Sequence, residues 1–300
     1  MPPRTHVQGQ AVSAAEYHAD LGSPVPSLSS SIAKLLITRS PKHAWLEHPR
    51  LNPKYRRVDD SRLDLGSYAH KVLLEGNEDG VTVINPIDYP GKKGGIPDGW
   101  TNDAIREARD TAYAEGKLPI LSRDVLRVRE MVAVTQKAVA ENPDLAGYSL
   151  SDGMPEHIVR WHEGDTHLRA MLDSVSADRR LIYDYKSTTN AEPEAFLRLM
   201  FQMNYDLQGA FYLRANQRPD TKMIFIAQEI EPPYAVSFIG MPPAMVELGT
   251  RKVERAIAIW NACMASGQWP AYSNRVLWPE VPAYVMARWD EQEMEDELHL

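Results

Sequence analysis

Two apolar-leaning segments, Leu168–Val175 and Leu181–Lys186, lie on either side of a polar turn, Ser176–Arg180. That pattern predicts a β-hairpin with Asp173 in its first strand and Asp184 and Lys186 near the end of its second. Side chains alternate along a strand, so Asp184 and Lys186 share one face and Tyr185 takes the other. Two carboxylates on neighbouring strands, with an ammonium two residues on, make a compact site for a metal ion and a water.

The chemistry this stretch suggests is metal-dependent nuclease chemistry. Mg²⁺ prefers oxygen ligands and keeps several of its waters. Asp173 and Asp184 offer two carboxylate oxygens, and the Tyr185 backbone carbonyl offers a third. Lys186 beside the metal would orient or help deprotonate the attacking water and offset transition-state charge. The competing reading is a plain salt bridge between Asp184 and Lys186 on a surface hairpin.

The tripeptide alone decides nothing, because the chain holds three of its kind: Glu115-Gly116-Lys117, Asp184-Tyr185-Lys186 and Asp220-Thr221-Lys222. The first ends a predicted helix beside a glycine, and the last sits in a turn after Arg218-Pro219. Only Asp184–Lys186 follows an apolar strand start and has a strand-borne aspartate eleven residues upstream.

Around the hairpin the pattern is helical, then alternating, then helical again. Residues 1–26 are polar and proline-bearing and read as a flexible lead-in. Serine caps and helical spacing predict a helix over Ser27–Thr38, a second after Ser40-Pro41, and a third over Ser61–Glu75 with Gly76 as its stop. Val81–Ile84 reads as a strand, Asn85–Gly99 as a loop, and Thr101–Glu115 and Ser122–Glu141 as helices. Strands are predicted at Glu156–His162, Thr166–Val175, Leu181–Lys186, Lys222–Glu229 and Tyr234–Ile239. Long helices are predicted at Pro193–Ala215 and Pro242–Ser266. Prolines 270, 279 and 282 argue against a long regular element over Trp269–Trp289. The expectation is one α/β domain over 27–289, a central mixed sheet flanked by helices with a helical N-terminal section, followed by a solvated, disordered acidic tail over 290–300.

The net charge of −8 does not advertise a nucleic-acid surface. Most of that excess belongs to the tail Asp290–Glu297, which has six acidic residues and no basic one. A single cysteine, Cys263, rules out an intrachain disulfide framework and any four-cysteine metal or iron–sulfur site, so a reducing cytoplasm is the simplest compartment. There is no apolar run long enough to span a membrane and no phosphate-binding loop of the GxxxxGK[ST] type. His157, His162 and His167 recur every five residues, which alternation puts on different faces, so a zinc triad is not expected. Gln202, Tyr205 and Gln208 recur every three residues and predict a polar stripe on one helix.

Taken together, these motifs resemble the PD-(D/E)XK nuclease superfamily, with Asp184-Tyr185-Lys186 as its final motif. They are similar in particular to its exodeoxyribonuclease VIII (RecE-like) exonuclease branch. The resemblance rests on Gly66-Ser67-Tyr68-Ala69-His70 followed by Leu73-Leu74-Glu75, on Pro155-Glu156, on Arg169-Ala170-Met171-Leu172-Asp173, and on Tyr205–Tyr212. It runs from about Ser27 to Tyr284, in the family's order.

What the resemblance implies is a restriction-endonuclease-like core with catalytic Lys186, Asp184, Asp173 and Glu156. It implies metal ligation by His70, Asp173, Asp184 and Tyr185, and DNA contacts from Gln202, Tyr205, Gln208 and Arg169. The implied cofactor is Mg²⁺, with Mn²⁺ able to substitute. The implied activity is 5′-to-3′ degradation of linear double-stranded DNA in recombination or DNA processing, in a bacterial or phage-infected cytoplasm. A homo-oligomer and a single-strand annealing protein as partner follow by resemblance only. Whether Glu156 binds metal directly or positions a water stays open. An endonuclease, a single-strand-specific nuclease or an inactive DNA-binding scaffold remain the alternatives.

Overall fold

The computed structural model describes residues 4–6, 13–56 and 64–298. Two compact units result, Met1–Trp269 and Pro270–Leu300, so a boundary falls inside the domain expected over 27–289.

The first unit runs β1 (Arg4–His6), α1 (Ala14–Ala19), α2 (Ser30–Thr38), α3 (Pro41–Leu46), α4 (Asp64–His70), β2 (Val81–Ile84), α5 (Asp103–Ala114) and β3 (Leu118–Leu121). It continues with α6 (Ser122–Glu141), β4 (Met154–Glu163), β5 (Thr166–Val175), β6 (Leu181–Thr188), α7 (Pro193–Gln202), α8 (Tyr205–Asn216), β7 (Lys222–Glu229), β8 (Val236–Gly240) and α9 (Pro243–Ser266). The second unit contains α10 (Ala283–Leu298). None of the described helices is long and apolar enough to cross a membrane.

A mixed sheet in the order β1-β4-β5-β6-β7-β8 forms the centre. β4, β5 and β6 are an antiparallel meander, as the short turns between them require. β6 and β7 are parallel, and the crossover between them is carried by α7 and α8. β2 and β3 pair in parallel as a separate two-stranded sheet; β3, which contains Pro119, was not anticipated from the sequence.

Each face of the sheet is closed by helices. One face packs Ile32 and Leu36 of α2, Phe211 of α8 and Trp260 of α9 against Trp161, Leu168, Ile182 and Phe225. The other packs Tyr68 of α4 and Val128 and Met131 of α6 against Tyr183, Tyr185 and Ile226. Alternation along β6 thus sends its tyrosines to one core and Ile182 to the other. Each of these fully buried side chains contributes about 1.5–3 kcal/mol.

Three expectations are corrected. Described residues of the expected flexible lead-in are structured: Ser13 and Glu16 form a reciprocal capping box on α1, and the buried Asp20 carboxylate accepts from Ser27 N–H at 2.9 Å. The first twelve residues otherwise lie outside the described set apart from β1, as do Arg57 and the predicted helix start Ser61–Leu63. The helix expected over Pro193–Ala215 is two helices, because Asn204 adopts a left-handed conformation (φ 53°), a geometry asparagine tolerates. Lys252 Nζ donates to Asn204 Oδ1 at 3.0 Å and holds that break. The acidic segment expected as a disordered tail is helical, as the C-terminal half of α10, and it is exposed as expected.

Candidate active site

The hairpin brings three carboxylates into one row. Pro155 pairs with Ser174 and His157 with Leu172, so Glu156 of β4 stands across from Asp173 of β5. On the other side, Ser174 pairs with Tyr183, and the ladder ends one rung before Asp173 would meet Asp184. Where that rung is missing, the Tyr185 backbone N–H donates to Asp173 Oδ2 at 3.3 Å. Glu156 carries a φ of 45°, a strained value for a non-glycine residue and one that clusters at functional sites.

Asp184 is fully buried. Lys186 Nζ forms a tight ion pair with Asp184 Oδ1, and Gln208 Nε2 of α8 donates to Oδ2 at 2.9 Å. Gln208 also donates to the Tyr212 hydroxyl at 3.0 Å, so α8 anchors the carboxylate through a two-step chain. Lys186 Nζ lies 5.1 Å from the centroid of the Tyr205 ring, which stacks on Phe225. Tyr185 points the other way, and its hydroxyl donates to Gln228 Oε1 at 2.7 Å.

His70 enters from α4, whose close approach to β6 depends on Gly66: a Cβ there would overlap Ser187 Oγ. Its Nε2 lies 3.4 Å from Asp173 Oδ2. The chain then widens into a single π-helical turn, Lys71–Glu75, a feature that recurs at functional sites. The stop at Gly76 is left-handed, as its sequence position predicts.

The electrostatics are those of crowded charge. Burial, then repulsion from Asp173, pushes the Asp184 carboxyl up to about 6 against the pull of Lys186. Burial opposes ionisation of Asp173 too, but Lys186, His70 and the Tyr185 N–H together hold it below its ordinary range. Lys186 is raised, the two aspartates outweighing the cost of burial. His70 is likewise raised: burial opposes its charge, and the Asp173 hydrogen bond and the charges of Asp173, Asp184 and Glu156 prevail. Burial and the neighbouring Glu75 raise Glu156.

The donor set suits a hard divalent cation. Asp173, Asp184 and Glu156 on neighbouring strands carry oxygen donors, His70 beside them carries an imidazole, and like charges of this kind favour a cation. Among the described residues, no three His, Cys, Asp or Glu side chains converge closely enough to hold an ion as they stand. In this arrangement Lys186 engages Asp184 and His70 engages Asp173.

One expected DNA contact is corrected, and one expected stripe is broken. Arg169 is buried and spent on its own chain: it pairs with Asp20 at 3.1 Å, donates to Ser27 Oγ at 2.8 Å and to Ser27 O and Tyr17 O, and lies over the Tyr17 ring. It ties the N-terminal segment to β5. Gln202 ends α7 on the exposed side of the break at Asn204, so it does not continue the stripe of Tyr205 and Gln208.

Two neighbours of the site went unread in the sequence. Tyr212 lies one turn beyond Gln208, a spacing of four that was available as a signal. Lys34 of α2 places its Nζ 5.7 Å from the Tyr205 ring centroid. Nothing in its local sequence, within an apolar helix, marks it.

The PDDEXK-like domain of unknown function (DUF3799) matches residues 29–277. Among solved structures, a protein from Eubacterium rectale described as an exonuclease superposes with a TM-score of 0.57 at 14% identity, over 93% of this chain and 98% of that one. At that identity the likeness is one of fold. A phage-related exonuclease from Haemophilus somnus 129PT is more distant, with a TM-score of 0.34 at 9% identity over 83% of this chain and 99% of its own, too loose to bear on fold or chemistry. No curated protein matches the sequence.

Proposed function

The chain belongs to the PDDEXK-like domain family (DUF3799), a nuclease-like domain, and on that premise we propose that it is a Mg²⁺-dependent exodeoxyribonuclease. The observation that carries this reading is the row Glu156, Asp173 and Asp184 across three neighbouring strands, with Lys186 on Asp184 and His70 on Asp173. A surface salt bridge would explain none of it, since Asp184 is fully buried.

His70, Asp173, Asp184 and the Tyr185 carbonyl are the groups that would hold the cation, and Glu156 would either join them or position a water. A bound divalent cation would lower the pKa of its water and stabilise charge on the phosphate oxygens. The chain's own part is orientation. Gln208, itself tied to Tyr212, fixes the Asp184 carboxylate. Lys186 would direct an ammonium N–H toward the attacking water and the negative charge carried by the phosphate oxygens in the transition state. Tyr205 walls the site beside that ammonium.

The substrate in this reading is linear double-stranded DNA entered from an end and degraded 5′-to-3′, as in the exodeoxyribonuclease VIII branch. A homo-oligomer, a single-strand annealing partner and a cytoplasmic role in recombination belong to the same proposal. Duplexes labelled separately at the 5′ and 3′ ends, run beside closed circular DNA with Mg²⁺ or Mn²⁺, test it. Early release of the 5′ label with the circle intact is expected. Cutting of the circle would replace the exonuclease by an endonuclease, and cleavage by a Lys186→Ala protein at the wild-type rate would remove the assignment.

A further inference from the structure

Lys34 is a half-buried cation. Among the described residues its Nζ has no ion-pair partner; it faces the Tyr205 ring at 5.7 Å, and Lys186 faces the same ring at 5.1 Å. Burial, then repulsion from Lys186, lowers its affinity for a proton, while Asp184 opposes that shift. Two ammonium groups face one aromatic ring; among the described residues only Lys186 is ion-paired, to Asp184, so the Lys34 ammonium is the one available to an anion.

Two adjoining cavities say where that anion would lie. One, of about 280 Å³, is bounded by Ser31, Lys34, Asp173, Gln208 and Tyr212 and opens onto the candidate active site. The second, of about 790 Å³, runs from Lys34 past Leu35 to Gln202 and Met203. Ser31, Ile32, Lys34, Glu47 and Tyr55 line both. Lys34 therefore sits at the waist of a groove that leads away from Asp173. Its far part is partly apolar, as a path for nucleobases would be.

We propose that Lys34 binds an internal phosphodiester of the DNA strand at the waist of this groove, one nucleotide step from the scissile bond. The proposal rests on the nuclease reading and adds to it a second cationic contact whose task is to position the strand. Lys186 serves the reacting phosphate, and Lys34 serves its neighbour. Each phosphate neutralised contributes about 0.7 to the salt slope of binding for single strands and about 0.9 for duplex.

The test is fluorescence anisotropy with fluorescein-labelled oligonucleotides in EDTA, where no strand is cut, titrated against salt. Lys34→Gln is expected to weaken binding several-fold and to reduce the slope by about 0.7 on single strands, equally for 5′-phosphate and 5′-hydroxyl ends. Lys34→Arg is expected to keep the slope. In cleavage assays Lys34→Gln should raise KM more than it lowers kcat. If Lys34→Gln does not fold, Lys34→Met, which keeps the aliphatic stem, carries the comparison. An unchanged slope and affinity would overturn the proposal, as would a loss confined to 5′-phosphorylated ends. Failure of the nuclease reading looks different: wild-type protein that binds DNA with a Lys34-dependent slope but never cuts it.

Discussion

Glu156 occupies the one skipped rung of the β4–β5 ladder, opposite Asp173 by register, in a left-handed backbone conformation (φ 45°). A side chain in that region costs roughly 1–2 kcal/mol, and the surrounding ladder holds it there. Pro155 and His157 on either side remain paired, so the distortion is confined to the one residue that faces the carboxylate.

Glu156→Gly is therefore expected to be neutral or stabilising by up to about 1 kcal/mol, the relief of strain offsetting glycine's added chain entropy. It should also lose DNA cleavage. Thermal unfolding beside a cleavage assay checks both, and a large drop in unfolding temperature would show that the carboxylate holds the fold rather than serving the site.

Removing Lys186 leaves Asp184 buried without its cation. Lys186→Met should destabilise the protein by about 3–5 kcal/mol, the range for breaking a buried pair from one side. Asp184→Asn combined with Lys186→Met should recover most of that loss in urea unfolding while remaining inactive. A double variant no more stable than the single one would mean the pair is not coupled as its geometry requires.

Arg169 was expected from the sequence as a DNA contact and is found tied to Asp20 and Ser27. Arg169→Gln should lower stability by about 3 kcal/mol or more and leave the salt slope of DNA binding unchanged. A reduced slope at wild-type stability would restore the DNA-contact reading.

His48 gives the fold an acid-sensitive joint. Its Nδ1 accepts from the Arg50 and Leu51 N–H groups at 3.2 and 3.3 Å, and Nε2 donates to Ser27 O at 3.1 Å, so the ring is held neutral. Burial pushes its pKa down from 6.5 to about 4, with the Ser27 carbonyl opposing and Arg169 assisting. Asp20, Arg50 and Trp260 complete its surroundings. Between these values the unfolded chain takes up a proton that the folded one refuses, so stability falls as pH drops through 6.5 toward 4. The loss is on the order of a few kcal/mol and should be smaller in His48→Gln when urea unfolding of the two proteins is compared across that window.

Much of the site was legible along the chain because its chemistry is local to the hairpin. The spacing of Asp173, Asp184 and Lys186 and the alternation that turns Tyr185 away follow from strand geometry. The break at Asn204 was missed because the apolar pattern continues across it. What distinguishes that residue is a left-handed backbone supported by Lys252, nearly fifty positions later.

By itself the sequence determined the elements that depend on near neighbours: the capped helices, the hairpin, and the two aspartates and the lysine at its end. Only the tertiary structure decided what each charge would meet. Arg169 found Asp20 and became a strut, Asp184 found Gln208 of the crossover helix α8, and Lys34 came to share the Tyr205 ring with Lys186. The physical reason is that a charge is defined by its partner and its burial. Here both are set by packing between segments that lie far apart in the chain.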